Sequence, residues 1–399
     1  MIVWCAGESV NKPYRLGTWP KSWQVGKTWN VTLIVTEDCN LRCSYCYLCG
    51  KNRAHRMSLD TAIRGLELFL SQSDHHDSII LEFIGGEPFL EIDLLNEITE
   101  YWKFALLERR HKWLGNFRIS ISTNGILYDD ERVQRWIRKN YELLSIGITI
   151  DGTKEKHDST RVYPDGRGSY DDVARNVPLW VEQYPNASTK ATFSPACIPS
   201  LCDSILNIWN LGIKEVAANV VFEDVWTESD VESYKAQLCV LADIIVQEGL
   251  WKEYNCTFFS DTIGRPQDPM ENQNWCGAGK MMAVGTDGTL YPCLRFAQYS
   301  LANQPARTVG TLDTGIDLDR VRAFHSLTRY SQSPDECLEC EVATGCAWCQ
   351  GCNYDCAGTT TVFQRSLGLC EMHKARVAAN EYYWRRLEEA TGIRKVSGR

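Results

Sequence analysis

The run TEDCNLRCSYCY, Thr36 to Tyr47, carries three cysteines, Cys39, Cys43 and Cys46, in the spacing C-x3-C-x2-C. Three thiols so close on one loop suit neither a core nor a disulfide framework. They suit iron. Three thiolates hold three irons of a cubane cluster and leave the fourth without a protein ligand, open to a substrate or cofactor, whereas a four-cysteine site is saturated and suits electron transfer. Cys49 is the alternative fourth ligand or zinc-site member, and it would close the site. Nine more of the 18 cysteines crowd between Cys276 and Cys370, while Cys5, Cys197, Cys202, Cys239 and Cys256 are scattered. The start MIVWCAGESVNKPYR lacks the basic and apolar regions of a signal peptide, and no run of about eighteen apolar residues exists. A cytoplasmic protein is expected, with thiols kept reduced as metal ligands or reactive groups. Two separate iron–sulfur regions follow from the clustering.

The elements that must position these loops alternate in period. WNVTLIV, Trp29 to Val35, is a β-branched run, and MSLDTAIRGLELFL sets Leu59, Ala62, Ile63, Leu66, Phe69 and Leu70 on one helical face behind a Ser58 cap. The alternation continues through IILEFIGG, FRISISTNG, LLSIGITIDG, TKATFSPA and EVAANVVFED, each followed by a helical pattern. Six β/α units to about residue 250 predict an α/β fold, a partial (β/α)6 TIM-like barrel with a cysteine-rich C-terminal extension. The loops at the strands' C-terminal ends carry the chemistry in such a sheet. There lie the cysteine loop, GGEP (Gly85 to Pro88), STNG (Ser122 to Gly125) and IDG (Ile150 to Gly152). Beyond residue 251, MMAVGTDGTLYPC reads as a hairpin with Asp287 and Gly288 as its turn. CLECEVATGCAWCQGCNYDCAG has no periodicity and must be held by its ligands. A helix from about His373 to Thr391 ends the chain. The expected divisions are an N-terminal extension (1–28), the barrel (29–250), the cluster region (251–372) and the terminal helix (373–399). The net charge of −9 argues against nucleic-acid binding through phosphate neutralisation.

Cys39, Cys43, Tyr45 and Cys46, followed in order by GGEP, STNG and IDGTKEKHDSTRVYPDGRGSYD, resemble the signature of the radical S-adenosylmethionine (SAM) enzymes over most of residues 29–250. The resemblance implies that the open iron chelates SAM and that reduction releases a 5′-deoxyadenosyl radical. It places Tyr45 by the adenine and assigns Gly85, Gly86 and Glu87 to the SAM amino group, where two glycines permit close approach and a carboxylate supplies a charged acceptor. Thr123, Asn124 and Asp151 are further cofactor-binding candidates, and Arg161 pairs with either the SAM carboxylate or a structural aspartate. Read singly, GGEP is a tight turn and STNG an Asn-Gly turn.

The C-terminal cysteines are similar to the SPASM extension of peptide-modifying radical SAM enzymes, which holds two auxiliary clusters. Cys337, Cys340, Cys346 and Cys370 are then ligands of the distal cluster. Cys276 and Cys293 hold the proximal one with one or two of Cys349, Cys352 and Cys356. The chain departs from the pattern at Gln350, where a cysteine is expected. Structural zinc is the plain alternative for this block. The implied cofactors are SAM and three 4Fe-4S clusters. The implied partners are a precursor peptide with its leader and an external one-electron reductant of flavodoxin or ferredoxin type, with neither nucleic acid nor membrane. Only 38 residues precede Cys39, too few for a leader-binding domain there, so leader recognition falls to the barrel, a strand edge or a separate protein. Three reactions compete: thioether formation on a peptide cysteine, carbon–carbon crosslinking of the cyclophane type, and formylglycine formation in sulfatases. Sulfatase maturases carry an acid directly after the cysteine equivalent to Cys293, where this chain has Leu294. The loop VTEDCNLRCSYCYLCGKNRAHRMS is most similar to maturases of cysteine-repeat peptides and favours thioethers. Asp129, Asp130, Glu223 and Asp224 are candidate bases near strand ends. A non-catalytic iron–sulfur or zinc protein is the alternative of another class, and it would never cleave SAM.

Overall fold

The computed structural model describes residues 28–50, 53–223, 225–272, 276–356, 362 and 364–395; the expected N-terminal extension up to residue 27, and Asp224, lie outside the described residues. The repeating units fold as their periods predict. Strands β1 (Thr28–Thr36), β2 (Ser78–Gly85), β3 (Phe117–Thr123) and β4 (Leu144–Ile148) run parallel in one sheet. Strands β5 (Ser188–Phe193) and β6 (Glu215–Val220) run parallel in a second. Between them lie α1 (Leu59–Ser71), α2 (Ile92–Glu108), α3 (Glu131–Asn140), the short helices α4 (Lys154–Thr160), α5 (Tyr170–Ala174) and α6 (Val177–Gln183), and α7 (Leu201–Asn210); α8 (Glu228–Gln247) follows β6. The Ser58 hydroxyl caps α1 by accepting the Thr61 N–H at 3.0 Å. Strand β1 is buried from Val31 onward, as a central parallel strand covered on both faces must be. Behind the sheet Trp102, Trp113 and Trp180 are fully buried.

The two sheets meet between β4 and β5, where one bridge, Thr149 to Lys190, replaces a ladder. Backbone groups left over at such a gap need other partners. Trp180 Nε1 donates to the Ile146 carbonyl at 2.9 Å, and Thr189 Oγ1 donates to the Ile148 carbonyl at 2.7 Å while accepting the Ile150 N–H at 3.0 Å. Side chains thus finish the partial barrel at its seam.

The cysteine-rich region is joined to the barrel by continuous sheet. Strand β8 (Met282–Val284) pairs parallel with β1, with Leu33 beside Val284, and β9 (Thr289–Tyr291) turns back along it. Strand β7 (Asn255–Cys256), in a stretch that reads as loop, adds to β6. The hairpin turn is longer than the two residues expected: the Gly285 N–H closes on the Thr289 carbonyl at 2.8 Å, and Gly288 takes φ +83° inside the loop. The stretch without periodicity contains a helix, α9 (Gln350–Cys356). The final helix, α10 (Cys370–Thr391), starts at a cysteine and is tied to the rest through Asn380, whose amide brackets the Ser260 backbone at 2.9 Å on both sides, and through Arg386, 2.9 Å from Asp243.

At the C-terminal ends of β1 and β2 the backbones touch. Gly86 N–H donates to the Thr36 carbonyl at 3.1 Å and Glu87 N–H to the Asp38 carbonyl at 2.9 Å. A Cβ on Gly85 would lie 2.3 Å from the Thr36 oxygen, and one on Gly86 2.0 Å from the Asp38 oxygen and 2.8 Å from the Cys39 Cβ. Only glycine fits. Gly86→Ala is expected to cost about 1–3 kcal/mol in urea unfolding, the usual penalty for overpacking. Gly65→Ala on α1, where the nearest atom would be 3.4 Å away, should cost nothing. Equal stability of Gly86→Ala and wild type would contradict this packing.

Candidate active site

The cysteine loop is shaped by its own backbone donors. Cys39 N–H donates to Asp38 Oδ1 at 2.8 Å, and Leu41 N–H donates to Cys39 Sγ at 3.4 Å. Arg42 N–H and Ser44 N–H reach the carbonyls of Val162 and Thr160 at 2.7 and 2.9 Å, so the loop lies along the segment that leaves α4. Cys39 is buried, whereas Cys43 and Cys46 are partly exposed. Cys49 is exposed, with its thiol 3.8 Å from the Tyr299 carbonyl.

The predicted SAM contacts form two buried networks around this loop. In the first, Glu87 is 1% exposed and its carboxylate is taken up by protein donors: Oε1 accepts Thr123 Oγ1 at 2.7 Å and the Phe89 N–H at 3.1 Å, and Oε2 accepts the Asn124 N–H at 2.8 Å. Burial pushes its pKa up, against these bonds and the charge of Arg161. Asn124 Nδ2 donates in turn to Asn40 Oδ1 at 2.6 Å. Glu87 therefore binds the GGEP and STNG loops to each other, and Asn124 binds both to the cysteine loop.

In the second network, Tyr45 OH donates to Asp151 Oδ2 at 2.5 Å and accepts Arg161 Nη1 at 2.7 Å. Of the two partners expected for Arg161, the protein-side network is present, while its buried Nε has no partner among the described residues. Burial raises the Asp151 pKa, but Lys156 (Nζ 3.5 Å from Oδ2) and Arg161, with the Tyr45 hydrogen bond, more than offset this and hold the carboxylate ionised. His157, fully buried, accepts the Asp151 N–H at Nδ1, 3.2 Å away. The Ser169 hydroxyl donates to the Arg161 carbonyl at 2.8 Å and so accepts from His157 Nε2 at 3.0 Å. This fixes the neutral tautomer. Burial and then the Arg161 charge lower its pKa to about 3.

A cleft of about 420 Å³ opens beside Tyr45. Tyr45, Cys46, Tyr47 and Cys49 line it together with Glu223, Arg295, Asp355 and Cys356. The Arg295 guanidinium lies 4.6 Å from the Tyr47 ring centroid. Tyr47 ends the cysteine run and Arg295 follows Cys293 by two residues, but neither is singled out as a site residue by its sequence. Of the candidate bases among the described residues, Glu223 alone lines this cleft: Asp130 caps α3, and Asp129 pairs with Arg175 at 3.5 Å. Leu294 is buried.

The C-terminal cysteines fall into two groups. Beyond burial, the charges of Cys349 and Cys276 raise the Cys293 thiol, and Cys349 also raises Cys276. Cys352 and Cys356 stand next to this group, with sulfurs 3.7 Å apart. Separately, Cys337 is raised by Cys346 and Cys370, and Cys346 by Cys370 and Cys340, all offset by Arg365. Among the described residues no three such side chains converge on one point as the ligands of a single ion do. A cubane asks for something different, since each thiolate binds its own iron and the sulfurs stand apart. The donor sets Cys39/Cys43/Cys46, Cys276/Cys293/Cys349 and Cys337/Cys340/Cys346/Cys370 fit that chemistry.

The neutral His157 carries a pH signature. Its folded pKa lies below the unfolded value of about 6.5, so its contribution to stability is full above that pH and is lost as pH falls from 6.5 through about 3. Between pH 7 and 5.5 the stability advantage of wild type over His157→Gln should shrink by roughly 1 kcal/mol in urea unfolding. A constant or growing advantage would place the proton on His157 in the folded protein.

The radical SAM superfamily model matches residues 33–193. A serine-type anaerobic sulfatase-maturating enzyme of Bacteroides thetaiotaomicron is 23% identical over 339 residues, 77% of this chain and 78% of that protein. AlbA, the antilisterial bacteriocin subtilosin biosynthesis protein of Bacillus subtilis, is 25% identical over 290 residues, 69% of this chain and 57% of its own length. Among solved structures, anSMEcpe with bound AdoMet and the Kp18Cys peptide aligns over 92% of this chain and 100% of that one, with a TM-score of 0.65 at 16% identity. Streptococcus suis SuiB bound to its precursor peptide SuiA aligns over 85% and 75%, with a TM-score of 0.53 at 14% identity. The fold is that of these solved structures, residues 33–193 match the radical SAM superfamily, and together with the maturating relatives this supports an enzyme acting through SAM radical chemistry.

Proposed function

We propose that the protein is a maturase of a ribosomally made, cysteine-bearing peptide and that it joins the peptide's cysteine sulfur to carbon as a thioether. The observation that carries this reading is the cleft lined both by Tyr45 and Cys46 of the cysteine loop and by Arg295 and Cys356 of the C-terminal region, which leaves room for a peptide near both groups of thiols. Peptide-bound relatives of the same fold support a peptide substrate.

Cys39, Cys43 and Cys46 would hold the cluster that with SAM would supply hydrogen-abstracting radical chemistry, and Cys276, Cys293 and Cys349 would hold an auxiliary cluster that would supply an electron acceptor for sulfur–carbon bond formation. The side chains do the rest. Gly85, Gly86 and the Thr123 and Asn124 loop, braced by Glu87, wall the SAM site, while Tyr45, Asp151 and Arg161 fix its other side. The unpaired Arg161 Nε–H is a donor for a carboxylate. Glu223 accepts the proton of the substrate thiol. Arg295 on Tyr47 closes the cleft over the peptide. The reductant is an external one-electron carrier. Among the described residues no helix is long and apolar enough to cross a membrane.

A second reading, sulfatase maturation, is favoured by the relative matched over 77% of this chain and by Glu223, a carboxylate in the cleft where Leu294 offers none. Intact mass of the product separates the cases. Thioether formation predicts a loss of two hydrogens per bond, with the cysteine no longer alkylatable, and Glu223→Gln should slow it roughly 100-fold or more. A product that loses two hydrogens yet keeps every thiol alkylatable means carbon–carbon crosslinking, and an aldehyde means formylglycine; either overturns the thioether assignment.

A further inference from the structure

The second thiol group contains one cysteine more than a four-iron cluster takes. Helix α9 is pressed against the turn that follows Cys293: a Cβ on Gly351 would lie 2.5 Å from the Arg295 Cβ. This fixes Cys349, just before the helix, near Cys293 and Cys276. The Cys352 N–H donates to Cys349 Sγ at 3.4 Å, so Cys352 belongs to the same neighbourhood. One turn on, Cys356 Sγ is 3.7 Å from Cys352 Sγ. Thiolates on different irons of a cubane diverge from separate corners. Sulfurs 3.7 Å apart are too close to sit on separate corners, and a cubane iron, already bound to three sulfides, has room for one thiolate, so Cys352 and Cys356 compete for one coordination position.

We propose that Cys276, Cys293 and Cys349 each hold one iron of the proximal cluster, and that Cys352 and Cys356 are interchangeable ligands of the fourth. The two differ in access. Cys352 is 4% exposed, with its thiol 3.6 Å from the Phe222 carbonyl, whereas Cys356 lines both the substrate cleft and a neighbouring cavity of about 1250 Å³. With Cys352 on the iron, Cys356 is a free thiol in the cleft wall. An iron with a stand-by ligand can pass to a substrate thiolate and be recovered when the peptide leaves. The inference rests on the auxiliary-cluster reading of this region.

The test is alkylation of the reconstituted holoprotein by iodoacetamide, read residue by residue by mass spectrometry, with iron measured in parallel. In wild type, one thiol equivalent of the Cys352/Cys356 pair should be labelled, mostly at Cys356. In Cys352→Ala, Cys356 should become protected, its labelling falling at least fivefold with iron unchanged. In Cys356→Ala, Cys352 should stay protected. Protection of both cysteines in wild type would put them on separate irons, and undiminished labelling of Cys356 in Cys352→Ala would make it no ligand; either overturns the proposal. Free labelling of Cys276 and Cys293 as well would instead sink the auxiliary-cluster reading on which it rests.

Discussion

The contact between the Thr36–Cys39 and Gly85–Glu87 backbones is the constraint on which the site depends. Two strand ends are pressed together until no side chain fits between them, and the hydrogen bonds from Gly86 and Glu87 fix where Asp38 and Cys39 lie. With its backbone so fixed, Glu87 has one place to put its carboxylate, under Thr123 and Asn124. Three strand ends are then joined at one corner, and Asn124 returns the connection to Asn40 in the cysteine loop. A loop that must present three thiols to one cluster needs such rigidity, because closing a flexible loop on a metal costs the entropy of ordering it.

Burying charge beside that loop is possible only because each charge has partners. Glu87 and Asp151 are carboxylates with almost no exposure, and Lys156 and Arg161 are the cations that face them. Removing one member of such a set leaves another uncompensated at low dielectric, a far larger effect than the loss of one contact. The arrangement also explains the neutral His157: next to Arg161, a second positive charge has no place, so the ring serves as an acceptor for the Asp151 N–H and a donor to Ser169.

Much of this was legible in the sequence. The β-branched run from Trp29 to Val35 became a strand because both faces of a parallel sheet bury such side chains, and Ser58 marks a helix start by the chemistry of its cap, whereas Asp130, a candidate base in the sequence, proved to be a cap. The cysteine loop, GGEP, STNG and IDG were visible as motifs, and they meet at one end of the sheet because parallel strands align their C-terminal ends. Local pattern could not convey the use made of them. Glu87, expected to face a ligand, is spent inside the fold, a fact set by Thr123 and Asn124 some 36 residues away. The turn at Gly285 to Gly288 and the helix over Gln350–Cys356 were missed for a related reason: where ligands and neighbours decide the conformation, the sequence carries little periodic signal. The contact of Tyr47, at the end of the cysteine run, with Arg295 joins segments far apart in the chain, which no local pattern conveys.

The central claim is that Cys39, Cys43 and Cys46 hold the cluster at which SAM is cleaved. Its most direct test is the protein with all three replaced by alanine, assayed after reconstitution for bound iron and, with SAM and dithionite, for 5′-deoxyadenosine. Loss of about four irons per chain together with loss of all 5′-deoxyadenosine is the predicted result. Unchanged iron, or continued formation of 5′-deoxyadenosine, would contradict the account.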